Sequence, residues 1–298
     1  MKILITGASG LVGTALSKAL EGHEIYRLSR SEPKSDFDIQ WDAYEGFSKE
    51  EAEKLEGMEA VVHLAGEDVA GGSWTAERKA RIRDSRVKGT RTLVKALSKL
   101  ENPPSIFIGA SAIGFYGDRG NEIVTEESNP GTGFLGDVCV AWEEETEQAA
   151  KFADRLVILR IGLVLSKDGG ALEKMLTPFR YGVGGTVGSG EQWMAWIALD
   201  DLVKIIVEAL ESDKLQGVYN ATAPNPVQNK DFTASLAGQL SRPAFIPVPA
   251  FGVKLVFGEM GERLLLEGSR VIPRRLEQAG FKFDFPELDP ALAHILKE

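Results

Sequence analysis

Apolar positions along the chain follow two alternating periodicities. Short, nearly unbroken apolar runs at Lys2–Thr6, Glu24–Leu28, Ala60–Leu64, Ser105–Gly109 and Leu156–Leu163 read as strands buried on both faces. Between them, Leu11–Leu20, Thr75–Leu100 and Gly136–Phe152 show the spacing of amphipathic helices. Strands separated by helices of this length build βαβ units with right-handed crossovers, which predicts an α/β fold with a doubly wound parallel sheet. After residue 165 the rhythm loosens. Glycine-rich turns (YGVGGTVGSGEQ) and proline clusters (APNP, FIPVPAF, VIPRR) break the chain into short elements. The expected organisation is a first domain over 1–165, rejoined by 195–220 through a helix at Asp200–Leu210, and a smaller α+β C-terminal module over 166–298. No internal repeat is visible.

Composition narrows the function classes. With 298 residues, 43% of them hydrophobic, the chain has material for a sizeable core, which excludes global disorder. Lys+Arg 34 against Asp+Glu 44 gives a net charge of -10. That argues against a nucleic-acid coat or a polybasic membrane binder, so neither nucleic acid nor membrane is an expected partner. Cys139 stands alone, which excludes an intramolecular disulfide or a cysteine-cluster metal site; His23, His63 and His294 are scattered. No metal is expected. The apolar start is interrupted at Gly7, far short of the roughly 20 residues a membrane span needs. A cytoplasmic location is the resulting expectation.

The chemistry begins at Gly7-Ala8-Ser9-Gly10-Leu11-Val12-Gly13, a GxxGxxG turn that leaves a strand and opens a helix. Gly7 permits the sharp turn, Gly10 a close backbone approach to a pyrophosphate, and Gly13 close packing of helix on sheet. The helix N-terminus offers unpaired N–H groups to the phosphates. A plain strand–turn–helix corner is the bland alternative. The second strand ends Arg27-Leu28-Ser29-Arg30, without the carboxylate that usually binds the ribose 2′-OH of NAD. A guanidinium suits a 2′-phosphate, so Ser29 and Arg30 favour NADP, unless Arg30 is simply a solvated loop cation.

With GASGLVG, RLSR and His63-Leu64-Ala65-Gly66 in view, the chain resembles the extended short-chain dehydrogenase/reductase superfamily and its Rossmann-type fold. The segments SRVKGTRTLVKAL, GASAIGFYGDRG, LRIGLVLSKDGGAL, PFRYGVGGTVGSG and WIALDDL, with a C-terminal segment at about 248–296, narrow the resemblance. They are similar to the "epimerase family proteins" of the NAD(P)-dependent epimerase/dehydratase group. The resemblance implies cofactor contacts from Ser9, Leu11 and Val12, from Leu64, Ala65 and Gly66, from Arg86 and Arg81, and from Val164. Leu64, Ala65 and Val164 read equally well as sheet core, and Arg81 as an exposed helix charge.

One departure changes the functional expectation. Active superfamily members use a Tyr-x-x-x-Lys pair as proton relay. In GFLGDVCVAWEEE the corresponding places are Leu135 and Cys139. Ser111 and Tyr116 are the remaining catalytic candidates, although Ser111 stands one residue further from Tyr116 than in many relatives. Glu143, Glu144, Glu145 and Glu147 read as a solvated face, Asp200 and Asp201 as a helix start, and His63 as a core histidine. On the substrate side, Phe179, Arg180, Tyr181, Trp193 and Trp196 offer an aromatic wall, or the core of the small module. Arg270, Arg274 and Arg275 offer anion binding or surface pairs. The sequence therefore points to an NADP-binding oxidoreductase or epimerase-like enzyme acting on a small hydroxyl or carbonyl compound. Its rival is a non-catalytic NADP(H) sensor or scaffold. The two long helices leave a homodimer open.

Overall fold

The structure is a computed structural model in which residues 1–297 are described. In chain order the strands are β1 (Lys2–Thr6), β2 (Glu24–Ser29), β3 (Asp38–Gln40), β4 (Ala60–His63), β5 (Ile106–Ala112), β6 (Gly120–Val124), β7 (Arg155–Ile161), β8 (Leu163–Leu165), β9 (Trp193–Met194), β10 (Trp196–Ala198), β11 (Gly217–Ala221), β12 (Val227–Gln228) and β13 (Ser269–Val271). The helices are α1 (Leu11–Ala19), α2 (Lys49–Glu53), α3 (Ala76–Leu97), α4 (Phe134–Glu147), α5 (Gly170–Arg180), α6 (Leu199–Glu211), α7 (Asn229–Leu240), α8 (Ala250–Gly261), α9 (Arg274–Gln278) and α10 (Leu288–Lys297).

Seven strands form one parallel sheet in the order β11-β7-β5-β4-β1-β2-β3. This is the Rossmann-type, doubly wound arrangement. The central strands β1, β4 and β5 are largely apolar because both faces are covered, and their alternate side chains serve different cores, whereas β2 toward the edge carries exposed Glu24 and Arg27. Ile3, Ile5, Val62 and Ile108 meet Leu16 of α1 and Leu202, Ile205 and Ile206 of α6. Leu4, Val61 and Phe107 meet Leu93 and Leu97 of α3. Helix α4 crosses close over β5: a side chain at Gly109 would stand 2.5 Å from the Thr146 methyl.

The apolar run at 156–163 is interrupted at Gly162. There the chain leaves the main sheet, and β8 pairs instead with β10. A Cβ at Gly162 would lie 2.7 Å from the Ala195 carbonyl oxygen, so glycine permits the crossing. The smaller module packs α5, α7 and α10 around Trp196, Phe232, Leu236 and Leu292. Two ties hold its C-terminal part to the large sheet's periphery. Strand β13 pairs with β6, and the buried Asp201 carboxylate accepts from the backbone N–H groups of Asp284 (2.8 Å) and Phe285 (2.9 Å). Asp201 is thus a clamp on a distant loop rather than a cap for its own helix. Burial raises its pKa, partly opposed by those two hydrogen bonds.

Candidate dinucleotide-binding site

Strand β1 lies between β2 and β4, so the chain leaves it toward opposite sides of the sheet and opens a crevice at the strand C-termini. Gly7 turns the chain there with φ +70, and a Cβ at this position would meet Leu64 and Ala65 backbone atoms at 3.1 Å. At Gly13 the space is tighter still: a Cβ would fall 2.3 Å from the Gly7 carbonyl oxygen. Thr6 locks the two loops together. Its hydroxyl oxygen accepts from the Leu64 and Ala65 N–H groups at 3.1 and 3.0 Å and pairs with His63 Nδ1 at 2.7 Å. The other ring nitrogen of His63 meets the Thr90 hydroxyl at 2.9 Å. Fully buried, His63 has its pKa lowered to about 4 by desolvation and is a neutral core residue.

The α1 N-terminus is left open to an anion. Gly10 caps it without a side-chain hydrogen bond, and its first turn holds no acidic residue. Ser9 and Gly10 are exposed, while Leu11 packs on Gly169 and Gly170, and Val12 faces the central core. A cradle that a single Cβ would fill, ending in unpaired N–H donors, fits a pyrophosphate.

At the end of β2, the Ser29 hydroxyl accepts from the Ser31 N–H at 3.0 Å, and Arg30 is exposed beside it. The nearby Asp42 carboxylate is lowered in pKa chiefly by the Glu45 and Tyr44 N–H groups, with a smaller contribution from the Arg30 charge. The guanidinium is therefore available at the rim of the crevice, and no carboxylate terminates β2.

At the end of β4, Leu64 and Ala65 are half-buried and Gly66 is exposed. Arg86 folds beneath this loop. It donates to the carbonyls of Glu67 (2.9 Å) and Ile82 (3.1 Å), lies over the Trp142 ring, and approaches Gly66 so closely that a Cβ there would be 3.0 Å from the guanidinium carbon. Burial lowers its pKa. Arg86 thus props the loop from below. Arg81 is exposed and paired with Glu77 at 3.0 Å, and Val164 lies in β8, half-buried against the central core.

Beyond these residues, α4 presents Leu135, Cys139 and Glu143 at four-residue spacing, one stripe of a helix. Cys139 is buried, and desolvation pushes its thiol up to about 12, so it is inert packing. Glu143 is not part of a solvated face. It is buried and doubly bonded to Arg160, with Nε to Oε1 at 2.8 Å and Nη2 to Oε2 at 2.7 Å, and Ser111 donates to the same carboxylate at 2.5 Å. The Tyr116 hydroxyl accepts from Arg160 at 2.9 Å and donates to Asn220 Oδ1 at 2.7 Å. Asn220 in turn donates to the Ile272 carbonyl at 3.0 Å, beside β13. Tyr116 has no exposed surface, and burial pushes its phenol up to about 12. Ser111 is 2% exposed. Both catalytic candidates are committed to a buried network.

The sequence reading missed Arg160 and Asn220 and misplaced Glu143. The signal was an arginine inside the apolar run LVILRI, since a charge between two covered faces requires a buried partner.

The geometry matches known proteins over the same regions. The NAD dependent epimerase/dehydratase family model matches residues 3–222, and a domain of unknown function, DUF1731, matches 248–295. The chain belongs to the NAD-dependent epimerase/dehydratase family. It is 37% identical to epimerase family protein Mb2239 of Mycobacterium bovis over 98% of this chain and 96% of that protein. The crystal structure of human epimerase family protein SDR39U1 (isoform 2) with NADPH superposes with a TM-score of 0.91 at 34% identity, covering 100% of this chain and 99% of that one. A nucleoside-diphosphate sugar epimerase from Corynebacterium glutamicum is similar at 36% identity with a TM-score of 0.81, over 99% of this chain and 57% of that one.

Within this epimerase/dehydratase fold the residues expected on the substrate side divide. Phe179 and Trp196 belong to the small module's core, where the Trp196 indole donates to the Asn225 carbonyl. Trp193 is half-buried under the Arg270 guanidinium and donates to Asn121, whereas Arg180 and Tyr181 are exposed. Arg275 donates to the Val218 and Gln216 carbonyls, and Arg274 stands 3.7 Å from Glu127. Among the described residues these side chains do not form a continuous aromatic wall. Met260 and Leu264 of the C-terminal segment instead join Trp74, Ile82, Phe134 and Leu135 in an apolar cluster, so the relay's tyrosine position faces hydrocarbon.

Proposed function

We propose that the protein binds NADP(H) across the β1–α1 turn and is an oxidoreductase or epimerase-like enzyme for a small hydroxyl or carbonyl compound. The observation that carries the binding reading is the open glycine cradle at Gly7, Gly10 and Gly13, with Ser29 and Arg30 at the rim. Backbone amides of the α1 N-terminus would hold the diphosphate, and Arg30 with Ser29 the 2′-phosphate. Leu64, Ala65 and Gly66 would line the site on the β4 side. Support comes from the human relative crystallised with NADPH.

When bound, the nicotinamide supplies or accepts a hydride. The chain's own residues then set how the substrate oxygen is served. Leu135 and Cys139 offer no proton at the two relay positions, and Tyr116 is sealed. On this reading Ser111 and Tyr116 position the end of β5, and the proton comes from solvent or from the substrate itself. An NADPH-absorbance screen over aldehydes, ketones and their alcohols tests this. Turnover should appear and survive Tyr116→Phe.

A second reading is favoured by the apolar relay face itself: a dinucleotide sensor or scaffold without turnover. Tight NADPH binding with no oxidation across the screen would establish it and remove the enzyme reading.

A further inference from the structure

Single exposed apolar side chains are ordinary, but a contiguous cluster is not. Here one cluster gathers on the C-terminal module. Phe245 is 87% exposed, Leu255 82%, Tyr181 81% and Phe251 74%, with Ile246 and Val256 beside them in the chain. They form one surface because the backbone segments carrying them run together. The Val248 N–H donates to the Thr186 carbonyl at 2.8 Å, the Gly188 N–H donates to the Val248 carbonyl at 2.9 Å, and Pro243 lies against Gly182. Helix α8 continues this surface. The helix is broken at Gly258 (φ 58): Val253 is buried before the break, Met260 and Gly261 after it, and Glu259 pairs with Lys79 of α3. Before the break Val253 is turned to the body, while Phe251 and Leu255, four residues apart, stand outward.

Charge decides what this surface fits. In a chain with a net charge of -10, residues 180–190 and 241–258 contain Arg180, Arg242 and Lys254 and no acidic residue. All three are exposed, but Lys254 is paired with Glu262 at 2.6 Å and Glu259 with Lys79, so the charge not already paired is that of Arg180 and Arg242. We propose that this face docks the protein on an anionic phospholipid bilayer surface, the first part of α8 lying in the interface with its aromatic and aliphatic side chains among the acyl chains and Arg180 and Arg242 at the headgroups. A second copy of the chain fits less well, since a self-complementary contact would set like charges against one another. Spanning is not involved: no described helix is long and apolar enough to cross a membrane. Docking on a bilayer departs from the expectation of no membrane partner, which rested on the whole-chain charge.

The test uses the full chain with sucrose-loaded vesicles of phosphatidylcholine alone or of equimolar phosphatidylcholine and phosphatidylglycerol. The protein should sediment with the anionic vesicles and be released by salt. The pair Phe251→Ser with Leu255→Ser, and the pair Arg180→Gln with Arg242→Gln, should each weaken this by about tenfold or more. NADPH fluorescence of both variants should match the parent, which separates loss of docking from loss of fold or of the dinucleotide site. Failure to sediment with either vesicle, or variants that sediment like the parent, would overturn the proposal. So would a dimer in light scattering that the double serine variant dissolves, because a second copy would then own the surface.

Discussion

Arg160 of β7 and Glu143 of α4 form a two-bonded ion pair whose side chains are 6% and 7% exposed. Around it, Ser111 and Tyr116 donate or accept at the remaining positions, so the pair is nearly complete in its hydrogen bonding. Such a pair contributes little against an apolar replacement but leaves an uncompensated charge when half of it is removed. Arg160→Met and Glu143→Leu should each lower stability by about 3–5 kcal/mol, and the double substitution should recover most of that loss. Urea unfolding of the four proteins measures it. Additive losses would show that the side chains contribute independently.

The glycine turn makes a sharper demand. At Gly13 an added methyl carbon meets backbone, the Gly7 oxygen at 2.3 Å and the Ala8 Cα at 2.7 Å, and neither can rotate away. Gly13→Ala should therefore cost about 1–3 kcal/mol despite alanine's higher helix propensity, and should displace the turn that receives the diphosphate. Gly22, with nothing within 4 Å of its Cβ position, is the matched control. Thermal unfolding and NADPH fluorescence should both change for Gly13→Ala and for neither property in Gly22→Ala.

His63 sets a pH dependence of stability. Its folded pKa of about 4 lies below the ordinary value of 6.5, so between these values the unfolded chain binds a proton that the folded one refuses. Stability from this group is complete above pH 6.5 and falls as the pH drops toward 4, by about 1.4 kcal/mol per pH unit for one proton. Unfolding free energies measured across that window should show the slope, and His63→Gln should flatten it. A parent protein equally stable at both ends would contradict the burial argument.

Much of the fold was legible because the dictating signals are local or periodic. Ile3, Leu4 and Ile5 announce a strand covered on both faces, and Gly7 and Gly13 announce a turn that needs glycine, the first for its positive φ and the second for its contact with backbone. Short edges were not legible: Asp38–Gln40 forms β3 with only Ile39 buried, and three residues carry no period. The break at Gly162 was hidden inside an apolar run, because the sequence does not reveal which strand lies opposite. The network beside the crevice depends on tertiary register. Ser111 pairs with Arg160 across β5 and β7, and α4 lays Glu143 over both, so a residue read as solvated became the buried partner of a strand arginine. Likewise, nothing near Asp201 in sequence signals that it holds Asp284 and Phe285.

The central claim is that an adenine dinucleotide bearing a 2′-phosphate occupies the β1–β4 crevice, read by Arg30. Its most direct test is the ratio of NADH to NADPH dissociation constants, by calorimetry, in the parent and in Arg30→Ala. The account predicts a clear preference for NADPH that Arg30→Ala reduces by about tenfold or more, through weaker NADPH binding with NADH little changed. No binding of either nucleotide, or equal loss of both in the variant, would contradict it.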